Sequence, residues 1–208
     1  MILLHDFWRS SAAYRVRIAL NLKHIAYDTH AVSLADGDQR APDYLDCNPQ
    51  GLVPTLEVDG ATITQSLAII DYLDATRPDP PILPRDPRAR AHVLAKALLI
   101  VADIHPLNNL RVLKRLKSQF GAGQPAIDDW YRHWIIEGFT ALEQMAGPGP
   151  FLGGEAPDLA DVCLVPQMYN ARRFAVPLDA FPRLVAIDAT ATAIPEIAAA
   201  HPDRVKPD

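Results

Sequence analysis

Between Arg77 and Pro87 the chain reads Arg-Pro-Asp-Pro-Pro-Ile-Leu-Pro-Arg-Asp-Pro, five prolines in eleven positions. Proline lacks the amide donor that a helix interior and a central strand both use, and it disfavours helix in the residue before it. No regular element crosses such a segment, so each side must bury its own apolar residues. With 208 residues, 49 % of them hydrophobic, there is apolar surface enough for two cores, and a disordered chain is excluded. The chain therefore divides into one domain at 1–80 and a second at 86–208.

The hydrophobic pattern differs on the two sides. In the first, Ile2–Phe7 is a short apolar run suited to a buried strand. Ser10–Lys23 carries Ala13, Val16, Ala19 and Leu20 at helical spacing behind the hydroxyl caps Ser10 and Ser11. Ile25–Val32 reads as a second strand, followed by a polar stretch to Gln50. Val53–Val58 and Ala61–Thr64 flank Asp59-Gly60 as a hairpin, and Ser66 caps an apolar helix over 67–75. The second side is helical throughout. A long pattern over 88–116 is interrupted by Pro106, and 125–145 offers Trp130, Trp134, Phe139 and Leu142 for a core face. Asp158 and Asp161 form a box-like cap on 159–174, and at least one further helix lies in 182–200. The fold class is α/β followed by all-α.

Charge and cysteine usage exclude several functions. Lys and Arg number 20 against 25 Asp and Glu, a net charge of −5, so the basic footprint of a nucleic-acid binder is lacking. No stretch approaches the roughly 18 uninterrupted apolar residues of a membrane span. Cys47 and Cys163 constitute neither a disulfide framework nor a metal-ligand set, and the expectation is a cytoplasmic protein without a metal.

Two constellations suit anion chemistry. Arg9-Ser10-Ser11 lies between the first strand and the first helix, where unpaired amides and the helix dipole stabilise negative charge. The Ser10 hydroxyl adds a donor suited to a thiolate, although as a lone feature a serine there is a cap. Gln50, Val53-Pro54 and Gln65-Ser66 form the second. A proline after Val53 that adopts the cis form turns the Val53 backbone outward for a peptide-like ligand, and Gln65-Ser66 opens another helix toward a carboxylate. Taken alone, Ser66 is again a cap and Pro54 a turn.

Four strings carry a resemblance to a known family: Arg9-Ser-Ser-x-x-x-Arg-Val-Arg-Ile-Ala-Leu20, Asn48-Pro-Gln-x-x-Val-Pro-Thr-Leu56, Gln65-Ser-Leu-Ala-Ile-Ile-x-Tyr-Leu73 and Leu159-Ala-Asp-x-x-Leu-Val-Pro-Gln167. Together they resemble, in order and over nearly the whole chain, the zeta class of glutathione transferases, the maleylacetoacetate isomerase family. The Val-Pro and Gln-Ser pairs are shared by many glutathione transferases, whereas Ser-Ser-x-x-x-Arg-Val-Arg is specific to this class. The segment Asp103-Ile-His-Pro-Leu-Asn-Asn-Leu-Arg111 resembles the bacterial branch, which also includes glutathione-dependent maleylpyruvate isomerases.

That resemblance implies a thioredoxin-like first domain that binds glutathione, a helical-bundle second domain that binds substrate, and a homodimer. It implies that Ser10 activates the thiol, with Ser11 its neighbour, and that Val53, before a cis Pro54, pairs with the cysteinyl unit. It places Gln65, Ser66 and Gln50 on the γ-glutamyl carboxylate, and His105 and Asn109, taken as i, i+4 on one helix face, on glutathione. A small dicarboxylate substrate calls for arginines, and Arg9, Arg111 and Arg173 are the candidates; Arg15 and Arg17 are left as structural ion-pair candidates. Plant and animal members usually have Cys after the serine pair where this chain has Ala12, so cysteine-dependent side chemistry is not expected. The implied reaction is cis–trans isomerisation of maleylacetoacetate in tyrosine or aromatic-acid breakdown. Maleylpyruvate is the nearest alternative substrate. A conjugating transferase acting on α-haloacids and a non-catalytic glutathione-binding dimer are readings of other classes.

Overall fold

The N-terminal apolar run folds as strand β1 (Leu3–Asp6), the central position from which the first unit is organised. The computed structural model describes residues 2–207, which fall into two units: one runs to Ile82 and resumes at Ala193, the other is Leu83–Thr192. After β1 come α1 (Ser11–Leu22), β2 (Asp28–Ala31), α2 (Pro42–Cys47), β3 (Thr55–Val58), β4 (Ala61–Thr64) and α3 (Ser66–Thr76). The sheet order is β2-β1-β3-β4, with β1 parallel to β2 and antiparallel to β3, the thioredoxin-like arrangement expected from the sequence. Asp59 and Gly60 both take positive φ (53° and 79°), as a two-residue hairpin turn between right-twisted strands demands.

Each face of the sheet has its own cluster. Leu4, Val16, Leu20, Leu56, Val58, Ile69 and Leu73 pack one face against α1 and α3. Val32, Tyr44 and Val53, with Phe7 and Leu34, pack the other under α2. Arg17 sits wholly buried in α1. Its guanidinium donates to both oxygens of Asp6 (2.6 and 2.8 Å), to the Trp8 carbonyl (2.9 Å) and to the Ala200 carbonyl (3.2 Å). Buried Lys23 reaches the carbonyls of Arg77 and Pro80 and pairs with Asp74, fastening the start of the proline segment to α1.

In the second unit, α4 (Pro87–Leu98) widens into a π-helical turn over Leu99–Ile104, and the chain then turns through 105–108 before α5 (Leu110–Phe120). The helical pattern expected over 88–116 thus breaks earlier than Pro106. The π turn lies close to α6 (Gln124–Met145), and a Cβ on Gly138 would overlap the side chain of Ile104. The buried stripe of α6 is Ile127, Tyr131, Ile135, Phe139 and Leu142; Trp130 and Trp134 of the expected core face are only half-buried. Trp130 instead donates its indole N–H to the Leu107 carbonyl (2.9 Å), holding the turn after the π segment. The central helix α7 (Leu159–Arg173) starts with the expected reciprocal cap: Asp158 accepts from the Ala160 amide, and Asp161 accepts from the Asp158 and Leu152 amides. α8 (Pro182–Thr192) completes the unit.

The last stretch corrects the expected 86–208 boundary. Residues from Ala193 on, with α9 (Pro195–Ala199) and α10 (Pro202–Val205), belong to the first unit. Asn21 donates to the Glu196 carbonyl (2.9 Å), and Arg17 holds Ala200. Backbone carbonyls carry no sequence signal, so this return is invisible to pattern reading. No helix among the described residues is long and apolar enough to cross a membrane.

Burial pushes the Asp6 carboxyl up, and the Arg17 charge offsets this. Truncating one member of such a pair strands the other. Arg17→Leu is expected to destabilise the protein by about 3–5 kcal/mol in denaturant titration, and Asp6→Leu/Arg17→Leu to recover most of that loss. A single substitution costing under about 1 kcal/mol would show that the pair does not organise the unit.

Candidate active site

The turn from β1 into α1 places a hydroxyl at a helix mouth. Ser10 is the N-cap (φ −70°, ψ 120°), held by its amide to the Phe7 carbonyl (2.8 Å), and its Oγ accepts from the Ala13 amide (3.3 Å). The bond uses one lone pair; the hydroxyl proton has no acceptor among the described residues and is available to an anion. The first turn of α1 contains no acidic side chain to offset the dipole. Ser11, the first helical residue, is buried, so the two serines differ: Ser10 faces the turn and Ser11 packs inward. Arg9 is exposed, its guanidinium 5.3 Å from the Trp8 ring centroid.

A second edge is built by the loop after α2. Asn48 donates from its amide to the Leu52 carbonyl (2.7 Å) and accepts from the Gln50 amide (3.1 Å), and Tyr44 also donates to Leu52 (2.6 Å). Gly51 has φ +60°, and a Cβ there would strike the Gln39 carbonyl, so the loop fits only glycine at that point. The Val53-Pro54 peptide is cis, as expected. Among the described residues no hydrogen bond occupies the Val53 N–H or C=O, which leaves a short strand-like edge for an extended peptide. Phe7, just before the Ser10 turn, packs on the cluster containing Val53.

The start of α3 completes this arrangement, and in one respect corrects the sequence reading. Ser66 does not cap: it is the first helical residue, buried, and its hydroxyl accepts from the Arg15 Nε (3.1 Å). Gln65 holds the N-cap position without a side-chain cap bond, at φ 69° and ψ 117°. Such a conformation in a residue with a side chain costs about 1–3 kcal/mol and persists where the surroundings hold it. The Gln65 side chain donates to the Gln50 Oε1 (2.7 Å). Arg15 thus bridges α1 and α3 near their N-termini, and its buried cation adds to two helix dipoles. Arg17, by contrast, is the ion-pair residue expected, with Asp6.

In the helical unit the expected arrangement of His105 and Asn109 on one helix face is not found. His105 belongs to the turn after the π segment, and Asn109 is the N-cap of α5, its Oδ1 accepting from the Arg111 amide (3.1 Å). Four-residue spacing counts as one face only if the helix continues, and here it stops. Arg111 is exposed in the first turn of α5. Arg173 is exposed at the end of α7, 4.8 Å from the Phe174 ring centroid, and Phe174 stacks on Tyr131 (3.5 Å, 9° between planes). Burial pushes the Tyr131 hydroxyl up to about 12, the Arg173 charge opposing this, so the phenol stays a neutral donor. Sequence reading missed Tyr131 and buried Asn108, which donates to the Tyr131 carbonyl (3.1 Å). Their only signal was adjacency to residues already singled out.

A family model for the glutathione S-transferase N-terminal domain matches residues 9–76. The chain is 49 % identical to the maleylacetoacetate isomerase of Rhizobium meliloti (strain 1021) over 207 residues, covering 98 % of this chain and 97 % of that one. The holo structure of a maleyl pyruvate isomerase, a bacterial zeta-class glutathione S-transferase, is similar at TM-score 0.96 and 40 % identity, covering 98 % of each chain. The maleylacetoacetate isomerase of Anaeromyxobacter dehalogenans 2CP-1, solved with dicarboxyethyl glutathione and citrate in its active site, matches at TM-score 0.87 and 39 % identity, covering 99 % and 96 %.

Strain at Gln65 is separable from the role of its side chain. Gln65→Gly relieves the backbone where Gln65→Ala cannot, so the glycine variant is expected to be the more stable of the two by about 1 kcal/mol in chemical denaturation. Alanine matching or exceeding glycine would mean that the conformation carries no strain.

Proposed function

The chain belongs to the zeta class of glutathione transferases, the maleylacetoacetate isomerase family, and on that premise we propose that this glutathione-dependent isomerase converts maleylacetoacetate to fumarylacetoacetate. Rotation about a conjugated C=C is blocked until the double bond is suspended. Glutathione supplies, when bound, a nucleophilic sulfur that adds to that bond reversibly and is returned at the end of the cycle. The protein's task is to hold that sulfur ionised at neutral pH, against a free-thiol pKa near 8.5, and to grip the substrate while it turns.

The single observation that carries this reading is the uncommitted Ser10 hydroxyl proton at the mouth of α1, in the same unit as an open Val53 peptide edge. Ser10 donates to the sulfur anion, with the amides at the start of α1 adding positive field; Ser11 supports the turn from within. Val53 pairs its N–H and C=O with the cysteinyl residue, Pro54 closing that edge. Gln65 and Gln50, already joined at 2.7 Å, and the amide of Ser66 take the γ-glutamyl carboxylate, with Arg15 held beneath Ser66. His105 and Asn109 are assigned further glutathione contacts, Asn109 through its NH₂ group because its oxygen is engaged by Arg111. Arg9, Arg111 and Arg173 are assigned the substrate carboxylates, a guanidinium being suited to a bidentate carboxylate contact. Charge developing on the substrate carbonyl needs a fixed donor as well.

Maleylpyruvate is the second reading, favoured by the likeness to a maleyl pyruvate isomerase at TM-score 0.96. The dicarboxyethyl glutathione held by a relative is the product type expected when a thiol adds across the double bond of a four-carbon dicarboxylate, which supports addition chemistry for either substrate. We assign a homodimer from the family pattern. A cytoplasmic location is supported by the reduced thiol the reaction needs and by two cysteines that form no disulfide.

Catalytic glutathione separates isomerisation from conjugation: many turnovers per thiol are expected with one of the two cis substrates, whereas stoichiometric thiol loss would make the protein a conjugating transferase. Ser10→Ala is expected to lower kcat by about 10²-fold with glutathione binding largely retained, the scale of losing one preorganised donor; an unchanged kcat would refute thiol activation by Ser10. Arg173→Ala is expected to raise KM about tenfold or more for dicarboxylates and little for neutral electrophiles. Equal effects on both would reassign Arg173 to structure.

A further inference from the structure

The face of the sheet turned away from α1 and α3 carries a second group of reactive side chains. His5 on β1, Glu57 on β3 and Cys47 at the end of α2 each offer one ligand atom within 4.8 Å of the other two. His5 Nε2 lies 2.6 Å from the Glu57 Oε1. His5 is 93 % buried, being 7 % exposed, and its other ring nitrogen, Nδ1, is buried without a hydrogen-bond partner. Nε2 is therefore the ring nitrogen that faces the Glu57 oxygen, and it is the one an ion shared with Glu57 and Cys47 would take, the Nε2 proton passing to Nδ1 as the ion binds. A buried imidazole held this close to a carboxylate, with a thiol alongside, gathers groups whose protons a divalent ion displaces when it binds.

We propose that His5, Cys47 and Glu57 form a binding site for a zinc-type divalent ion. Thiolate, imidazole and carboxylate together are the donor set of such ions, whose ligands sit roughly 3.5 Å apart in a tetrahedral shell. To reach that geometry the widest pair draws in by about 1 Å and the close His5–Glu57 pair opens by about as much. Tyr44 stands edge-on to the His5 ring (centroids 5.7 Å) and His30 flanks it at 5.2 Å, so the imidazole is already orientated. The Glu57 side chain is 45 % exposed, which gives the ion an entry path and leaves a position for water. Cys47 immediately precedes Asn48, whose side chain shapes the Gln50–Val53 loop, so the ion would also brace that loop.

The test uses the full-length, reduced protein, stripped of metal and free of glutathione, whose thiol would compete. Titration with Co(II) is expected to give a thiolate-to-cobalt charge-transfer band that saturates at one ion per chain and is displaced by Zn(II). Cys47→Ser abolishes the band, and Glu57→Gln weakens Co(II) binding about tenfold or more. Zn(II) also slows amide exchange across residues 48–53 in the unsubstituted protein and not in Cys47→Ser. Absence of the band at saturating Co(II), or its survival in Cys47→Ser, overturns the site; unchanged affinity in Glu57→Gln overturns the three-residue assignment.

Discussion

The buried Arg17 guanidinium fixes the geometry on which the turn from β1 into α1 depends. It ties the end of β1 through Asp6, the turn itself through the Trp8 carbonyl, and the returning C-terminal segment through Ala200. An ion pair in such a setting is weak as a source of stability, because desolvation opposes the attraction and apolar replacements of equal volume often do as well. What it supplies is position. A guanidinium offers five donors in one plane, and here three of its four hydrogen bonds fix the end of β1 and the turn after it, so Arg9 and Ser10 follow at a set point on the unit. Aliphatic packing alone is non-directional and would fill the volume without fixing the turn.

The electrostatics of the proposed thiol site follow from the same frame. Helices α1 and α3 pack side by side over one sheet face and are linked near their starts by the Arg15–Ser66 hydrogen bond. Each start adds about half a positive charge, worth about 0.3–1 kcal/mol to an anion at an exposed site and more where water is excluded. Moving a thiol from a pKa near 8.5 to one ionised at neutrality takes about 2 kcal/mol, within reach of one dipole and one charge-assisted hydrogen bond. No metal or buried base is required for that step. The unfavourable backbone of Gln65 fits this economy: local strain keeps its side chain beside Gln50, where a relaxed residue would adopt a common conformation.

Much of this was legible in the sequence because the decisive signals are local. Asp59-Gly60 specifies its turn, Asp158 and Asp161 specify their reciprocal cap, and Ser10 specifies the start of α1, each through chemistry between residues no more than three apart. Features fixed by distant neighbours were not legible. Ser66 looked like a cap and is instead a partner of Arg15, since nothing in a serine tells which donor will reach it. The α6 stripe runs through Ile127, Tyr131 and Ile135 because the tryptophans one position away are needed at the margin, where Trp130 holds Leu107. The π turn at Leu99–Ile104 broke a continuous helical pattern for a reason visible only across the fold, the close approach permitted by Gly138. Arg111 and Arg173 were legible as arginines; their assignment to substrate rests on family resemblance and chemistry, not on a pattern.

The short helix α2 shows why the two sides of the sheet are not independent. Six residues are too few for a helix to hold itself in water, so α2 persists through tertiary contacts: Tyr44 in the cluster with Val32 and Val53, and its hydroxyl on Leu52 and Thr55. The same contacts set the loop that presents Val53. Any group that grips the far end of α2, at Cys47, therefore acts on a segment with little stability of its own, and its effect is felt where the loop begins. A sheet face lined by His5, His30 and Glu57 is an unusual support for the loop that carries Val53, because apolar residues would pack there without orphaned nitrogens. A buried imidazole held against a carboxylate, with a thiol at the end of the marginal helix above it, brings three metal-ligating groups together where packing needs none, and that is the physical ground for assigning this face a ligand of its own.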